Sequence, residues 1–499
     1  MCGKVRILLT AFSSLIAIGV SVSAQSYEEF RRQALQSFAQ ADSAARKEYR
    51  DFREKANDEY ARNMEHAWES FHGADPVPAQ GPEPVIPPII FPQLQVPEVI
   101  EDNILAIEEV VVAPDPLLSP QPIAPITKPK ESFGEQHYFS AFGASFPISL
   151  NTASLPVLRS NGEAAVAKMW KQLSAPEYDA MLADLLSLRE EMDLCDWAYY
   201  ELVKALADDI YPGNADPSAV FCAYVLCQSG FKLRLGRAPV DSSLHIIMAT
   251  DNMMYDHPSW DLDGDTFFLL DNSRSPMLKV YRGAFPGERV MRLAFTEKNH
   301  LPVALTESRE RKSNKYPEAQ TVTRVNKNLL DFYARYPESS VNKDTKTRWR
   351  FYAVDLSDEA KETLYPSLRT AIAGKSELEA ANILLNYVQT GFEYEYDTVL
   401  WGYDRTFFPD ETLYYPYCDC EDRSIFFSRL IRDLLGLKVA LVYYPGHLAT
   451  AVKFTEQVPG DIVLVNGERF VVCDPTFENA PVGMTAPEED NSSAFVMLL

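Results

Sequence analysis

The tightest constraint on fold is a succession of loop, helix and strand near the C-terminus. The stretch Tyr417-Cys418-Asp419-Cys420-Glu421-Asp422-Arg423-Ser424 is polar and leads into an apolar helical run, Ile425 to Leu435. Gly436 then stops the helix, and Lys438 to Tyr443 alternates like a strand. Cys420 therefore sits where a loop becomes a buried helix. Unpaired backbone N–H groups and the positive end of the helix dipole favour a thiolate there, and the same N–H groups can receive an oxyanion.

A thiolate nucleophile needs a base within hydrogen-bond reach, and that base needs an orienting group. His447 follows Gly446 and precedes the strand-like run Leu448 to Phe454; it is one of seven histidines and the only one after His300. Asp474 ends the next strand-like run, Arg469 to Cys473, before Pro475. Adjacent antiparallel strands would set His447 beside Asp474, so that the carboxylate fixes the imidazole tautomer. Cys418, Cys420, His447 and Cys473 also compose a set of metal-ligand types, but Cys-x-Cys is a less usual spacing than Cys-x-x-Cys. No metal and no cofactor is expected. Glu421 and Asp422 read as charges at a helix start rather than as catalytic groups.

Cys420-Glu421-Asp422 at a helix start, Gly446-His447 before a strand and Asp474-Pro475-Thr476 after one resemble the transglutaminase-like superfamily of cysteine acyltransferases and peptidases. The resemblance spans about residues 345–485. It implies a papain-like α+β core and acyl transfer through a thioester, to water or to an amine. Cys420 is the matching nucleophile because Glu-Asp follows it directly. Cys418 stands where many relatives have Gly or Ser, which makes it a candidate modulating thiol. The resemblance also implies an upstream aromatic or amide side chain in the oxyanion hole, for which Tyr414, Tyr415 and Tyr417 are the local candidates.

The middle of the chain repeats this pattern more weakly. Ser218 to Leu235 parallels Ser424 to Leu441, and His245 opens an apolar run as His447 does. Asp263-Gly264 parallels Asn466-Gly467, and Asp271 falls near the place of Asp474. Counting back from the shared Gly puts Asn214 where Cys420 would be. An inactive transglutaminase-like copy is thus expected within 131–280, joined through a β-rich and loop connection, 281–344, to the catalytic domain, 345–499. The cluster Asp261 to Asp265 reads as a hairpin turn, not a calcium loop.

The N-terminal region differs in character. Lys4 and Arg6, the apolar run Ile7 to Val20 and Val22-Ser23-Ala24 have the form of a secretory signal over 1–24, predicting export to a periplasmic or extracellular site. Residues 25–72 contain neither Gly nor Pro and read as one long helix. Tyr27, Phe38, Tyr49, Tyr60 and Phe71 recur every eleven residues, a period close to a straight helix, so their stripe is a candidate for self-association or docking. Residues 73–130 are Pro-rich and read as an extended linker, with Val110 to Val112 as a docking strand. Further on, 307–328 reads as an exposed loop or solvated helix, Trp349 to Leu356 as a strand, and Ser357 to Thr370 and Ser376 to Thr390 as Ser-capped helices.

The chain's 499 residues, 46% hydrophobic, can bury more than one core. A net charge of -24 repels phosphate backbones, so nucleic acid is not an expected partner. No segment after the signal is apolar enough to span a membrane. The combined expectation is an exported α+β cysteine enzyme acting on amide or peptide bonds of a protein or peptide substrate, hydrolysis ahead of amine transfer. The competing expectation is a non-enzymatic envelope or assembly protein that uses papain-like domains as binding modules.

Overall fold

The computed structural model describes residues 24–78, 100–112, 117–126, 136–271, 277–341, 345–487 and 489–499. The signal-like segment, apart from Ala24, lies outside the described residues. Two compact units divide at Ala56. Helix α1, Ala24–Met64, makes up the described part of the first and ends in the second. Leu35, Tyr49 and Phe52 on this helix are exposed.

The sequence pattern extends this helix to residue 72, but the structure ends it at Met64. The Trp68 indole donates to the Met64 carbonyl at 2.6 Å, and Trp68–His72 becomes strand β1. Tertiary pairing overrides local propensity here, since β1 finds a ladder partner in Met277–Tyr281.

The second unit is mixed α+β and contains two large sheets. In chain order, their strands are β1, β2 (Asn103–Ile104), β3 (Glu109–Val111), β4 (Leu233–Arg237), β5 (Leu244–Ala249), β6 (Ser259–Leu262), β7 (Asp265–Leu269) and β8 (Met277–Tyr281). They continue with β9 (Lys438–Tyr444), β10 (His447–Lys453), β11 (Asp461–Val465), β12 (Glu468–Cys473) and β13 (Phe495–Leu498). The middle sheet runs β1-β8-β4-β5-β7-β6, and the C-terminal sheet runs β2-β11-β12-β10-β9-β13-β3.

The two sheets share a plan. Each begins with a helix, α2 (Ala215–Gln228) or α5 (Cys420–Leu434), that ends at a glycine of positive φ, Gly230 or Gly436. Each then lays down five antiparallel strands in the same spatial order: fifth, first, second, fourth, third. In each, the third and fourth strands are joined by a two-residue turn with positive φ at both positions, Asp263-Gly264 or Asn466-Gly467. Asp-Gly and Asn-Gly are the pairs that such a turn favours. The Asp261 to Asp265 cluster is accordingly a hairpin.

Strand alternation divides the C-terminal sheet between two apolar layers. Val439, Val452, Val471 and Cys473 face a cluster with Leu364 and Leu368 of α3 (Asp358–Ala371), Leu384 and Val388 of α4 (Glu377–Gly391), and Phe427 and Leu430 of α5. Ala440, Val442, Ala449, Ala451 and Val472 join a second cluster with Leu105 and Ile107. The Pro-rich region is therefore no free tether between 100 and 112. It covers one face of this sheet, and its strands β2 and β3 pair in parallel with β11 and β13. Both helices predicted after Leu356 form with their serine caps; Ser357 accepts from the Ala360 N–H, and Ser376 closes a capping box with Glu379.

Two local readings are corrected. Residues 307–328 hold a hairpin, Arg309–Lys312 with Gln320–Thr323, because Arg311 is buried over the Phe392 ring at 4.4 Å and donates to the Tyr415 carbonyl. Arg348–Tyr352 is a short helix rather than a strand, set by the burial of Arg348 between Glu338 and Asp404. Among the described residues no helix is long and apolar enough to cross a membrane.

If residues 100–112 are structural, Leu105→Ala will cost about 2–4 kcal/mol, read from the midpoint of urea unfolding. An unchanged midpoint would return this segment to the role of a linker.

Candidate functional site

The start of α5 and the start of β10 meet at Cys420. Cys420 is the first residue of the helix, and His447 is the first of the strand. Several bonds hold them there. The Ser424 hydroxyl donates to the Leu448 carbonyl at 2.7 Å, tying the helix to the strand. Asp422 accepts from the Phe407 N–H at 2.7 Å, and Arg423 donates to the carbonyls of Gln389 and Phe392 at 3.0 and 2.9 Å.

Asp474 follows β12, and the ladder between β10 and β12 brings it to His447. His447 Nε2 lies 2.9 Å from Asp474 Oδ2. The other oxygen, Oδ1, accepts from the N–H groups of Thr476 and Phe477 at 2.8 and 3.1 Å. The loop that carries these donors is held by Gln389 of α4. Its amide nitrogen donates to the carbonyls of Asp474, Phe477 and Ala480, and its oxygen accepts from the Asn479 N–H. Pairing through Nε2 leaves Nδ1 as the ring nitrogen free to exchange a proton.

Electrostatics reinforce the pair. Burial would pull the His447 pKa down, but the charge and hydrogen bond of Asp474, with Glu489 and Glu421 nearby, hold it above the usual histidine value. Burial would raise the carboxyl pKa of Asp474, but His447 and the two N–H donors hold it below the usual aspartate value.

The thiol behaves otherwise than the sequence suggests. Burial, then the negative charges of Glu421 and Asp419, push the Cys420 pKa well up, against the favourable N–H of Leu448. Cys420 Sγ donates to Glu421 Oε2 at 3.2 Å, and no Sγ–imidazole hydrogen bond is present. The helix dipole is outweighed by burial and, after it, by the carboxylates that crowd the first turn. Cys420 is 2% exposed and His447 6%, so the site is closed to bulk solvent.

Glu421, read from sequence as a helix-start charge, is thus the thiol's direct partner. Around it lie Asp397, Asp404, Asp419 and Asp422, all buried, with the Arg348 guanidinium against Asp404 at 2.7 Å. Burial, then Glu421, pushes the Asp397 pKa up to about 8. Asp397, Asp419 and Glu421 each bring a carboxylate oxygen within 4.8 Å of the others. Both Asp419 oxygens and Glu421 Oε1 are buried without a hydrogen-bond partner. Among the described residues these three are the group that could hold a metal ion, and hard oxygen donors suit a hard cation.

The candidate tyrosines have the following surroundings. Tyr415 packs on Trp401 and Phe407 beside Arg405, and Tyr414 lies under Arg309. Tyr417 pairs with Glu393 in a short parallel ladder. Tyr394 and Tyr396 instead feel the charge of Cys420, and the Tyr394 hydroxyl is buried without a partner. The register Tyr394↔Cys418, set by that ladder, puts Tyr394 beside the strand that leads into Cys420. No spacing rule in the sequence indicates it. Cys418 belongs to the apolar core, where burial pushes its pKa up to about 11; Cys473 also lies in that core.

The middle sheet carries a partial counterpart. His245 Nδ1 lies 2.7 Å from Asp271 Oδ2, and its Nε2 lies 2.7 Å from Ser243 Oγ. The Ser243 hydroxyl is also 2.7 Å from Asp241 Oδ1. Asn214, which the count from the shared glycine sets against Cys420, stands at the N-cap position one residue before α2, makes no side-chain cap bond and is exposed. Cys222 and Cys227 are buried within α2, so no thiol stands at its start.

Comparisons with protein-family models, with curated proteins and with solved structures give no match.

Because burial, and after it the Glu421 charge, opposes ionisation of the thiol, alkylation of Cys420 by iodoacetamide will be slow at pH 7 and rise steeply in alkaline buffer. Glu421→Gln will lower the thiol pKa and speed alkylation at pH 7, by about tenfold for each pKa unit. Peptide mass spectrometry gives both rates, and equal rates for the two proteins would exclude Glu421 as the cause.

The His447–Asp474 pair predicts a pH window for stability. The contribution of Asp474, whose pKa is depressed on folding, is present above its unfolded value and lost as pH falls through the folded one. That of His447, whose pKa is raised, is present below its unfolded value and lost as pH rises through the folded one. Asp474→Asn will therefore destabilise most between about pH 4 and 6.5, the two unfolded values, as read by thermal melts across pH.

Proposed function

We propose that the chain is a cysteine acyl-transfer enzyme of transglutaminase-like character, acting on amide or peptide bonds. The observation that carries this reading is the His447–Asp474 pair, bonded through Nε2, at the strand start that meets a buried thiol on a helix N-terminus.

In this reading Nδ1 of His447 takes the proton from Cys420, and the sulfur attacks the carbonyl carbon. The Tyr394 hydroxyl and backbone N–H groups at the helix start stabilise the oxyanion. The imidazolium then protonates the leaving amine as the carbon–nitrogen bond breaks, leaving a thioester. Water, activated by His447, releases the acid; an amine in its place gives transfer. The Glu421–thiol bond keeps Cys420 protonated until a substrate excludes or displaces it. Asp474 holds the ring, and Gln389 holds the loop that carries Asp474. The middle sheet, with Asn214 at its helix start, is an inactive counterpart in this scheme. Export through residues 1–24 belongs to the same reading.

The 2% exposure of Cys420 also favours the second reading, a non-enzymatic assembly protein in which the fold has kept a buried thiol. Fluorescent casein hydrolysis and dansylcadaverine incorporation separate the two. The enzyme reading expects one of these activities in the full chain, its loss in Cys420→Ala and His447→Ala, and its retention in Cys418→Ala. Absence of both activities, together with Cys420 alkylation indifferent to His447→Ala, would favour the assembly protein.

A further inference from the structure

The helix α1 carries an unbroken apolar series from Tyr27 to Tyr60. Tyr27, Phe38, Tyr49 and Tyr60 head its repeats. Three residues after the first three of these stand Phe30, Ala41 and Phe52, and four residues further on stand Ala34, Ala45 and Ala56. The steps are therefore three, four and four throughout. Eleven residues make three turns, so the series keeps to one face of the helix with almost no drift. That spacing is the seam of a coiled coil of straight or slightly right-handed strands, in which side chains of one helix fill holes in another.

The seam is covered at one end only. Tyr60 is buried, with its ring 4.8 Å from Trp170, 4.9 Å from Tyr281 and 5.4 Å from Phe285. One repeat earlier, Tyr49 and Phe52 are 41% and 50% exposed, and Ala41 is exposed as well. Most helical stability in proteins comes from packing such a stripe, so its open part calls for a cover. The charges and sizes of the segment suit a copy of itself. Residues 24–56 hold seven Arg and Lys against six Asp and Glu, in a chain whose net charge is -24. Two copies of this segment meet without the repulsion that the rest of the chain carries. Aromatic and alanine columns lie side by side, so large residues face small ones across a pair. The five aromatic residues from Tyr27 to Phe52, at about 150–250 Å² each, bring the seam to the ~800 Å² per partner of a stable interface.

We propose that residues 27–52 of α1 pair with the same residues of a second copy of this chain, as a two-stranded coiled coil of eleven-residue repeat. The pairing stands apart from the acyl-transfer reading, because it is read from mass and not from turnover.

The test is sedimentation equilibrium of the full chain. The expected result is a dimer at about 10 μM protein. Tyr49→Glu combined with Phe52→Glu puts charge into the seam and will raise the dissociation constant at least about a hundredfold. Gln36→Glu combined with Lys47→Gln changes the net charge equally on the opposite, exposed face, and will leave the dimer within a few-fold. Glu favours helix more than Tyr or Phe does, and neither seam residue is buried, so the seam variant will keep its helix and its urea midpoint. Should it not fold, Ala41→Glu combined with Ala45→Glu carries the same expectation. A monomer at about 50 μM in the unaltered protein would overturn the pairing and leave the seam to a different partner. So would a dimer that the seam variant leaves as tight as before.

Discussion

The start of α5 is organised around the buried Arg348 guanidinium. Arg348 is almost wholly enclosed, yet Glu338 and Asp404 lie on it at 3.3 and 2.7 Å, and Glu421 feels its charge. Asp397, Asp404, Asp419, Glu421 and Asp422 crowd the start of α5, and burial raises the proton affinity of several of them. Without Arg348 this arrangement would be a set of like charges in a low-dielectric interior. Removing one partner from such a buried network costs about 3–5 kcal/mol. The short helix Arg348–Tyr352 therefore holds together the start of α5 as well as its own surroundings. Its aromatic neighbours Phe351 and Tyr352 pack on Phe408, whose N–H is taken by Glu411, itself paired with Arg405. Local apolar packing and the charge balance of the site are thus one structure.

This coupling also explains what the sequence did and did not disclose. Features governed by local chemistry were legible. Gly436 stops its helix at positive φ, Asn466-Gly467 makes its turn, and Ser357 and Ser376 cap their helices. Features governed by distant partners were not. Trp349 to Leu356 alternates like a strand, but its conformation answers to residues 338 and 404. Glu421 looks like a helix-start charge because nothing local reveals that its carboxylate turns to the thiol. Tyr394 is hidden for a similar reason: its place beside Cys418 follows from a two-residue parallel ladder between segments more than twenty residues apart. His447 and Asp474 were legible because each opens or ends a strand of a hairpin-rich sheet, where adjacency in sequence becomes adjacency in space.

The comparison between the two sheets sharpens the chemical question. Both share strand order, helix-ending glycine and turn type, and both bring a histidine to an aspartate across neighbouring strands. They differ in which ring nitrogen the aspartate holds. In the C-terminal sheet Nε2 is taken and Nδ1 is left to act. In the middle sheet Nδ1 is taken, and Nε2 meets a serine hydroxyl that also lies against Asp241. One hydroxyl proton cannot serve both Nε2 and Asp241. The same plan thus joins a histidine to an aspartate through Nε2 in one sheet and through Nδ1 in the other, and the difference rests on how each ring is turned rather than on the strands that carry it.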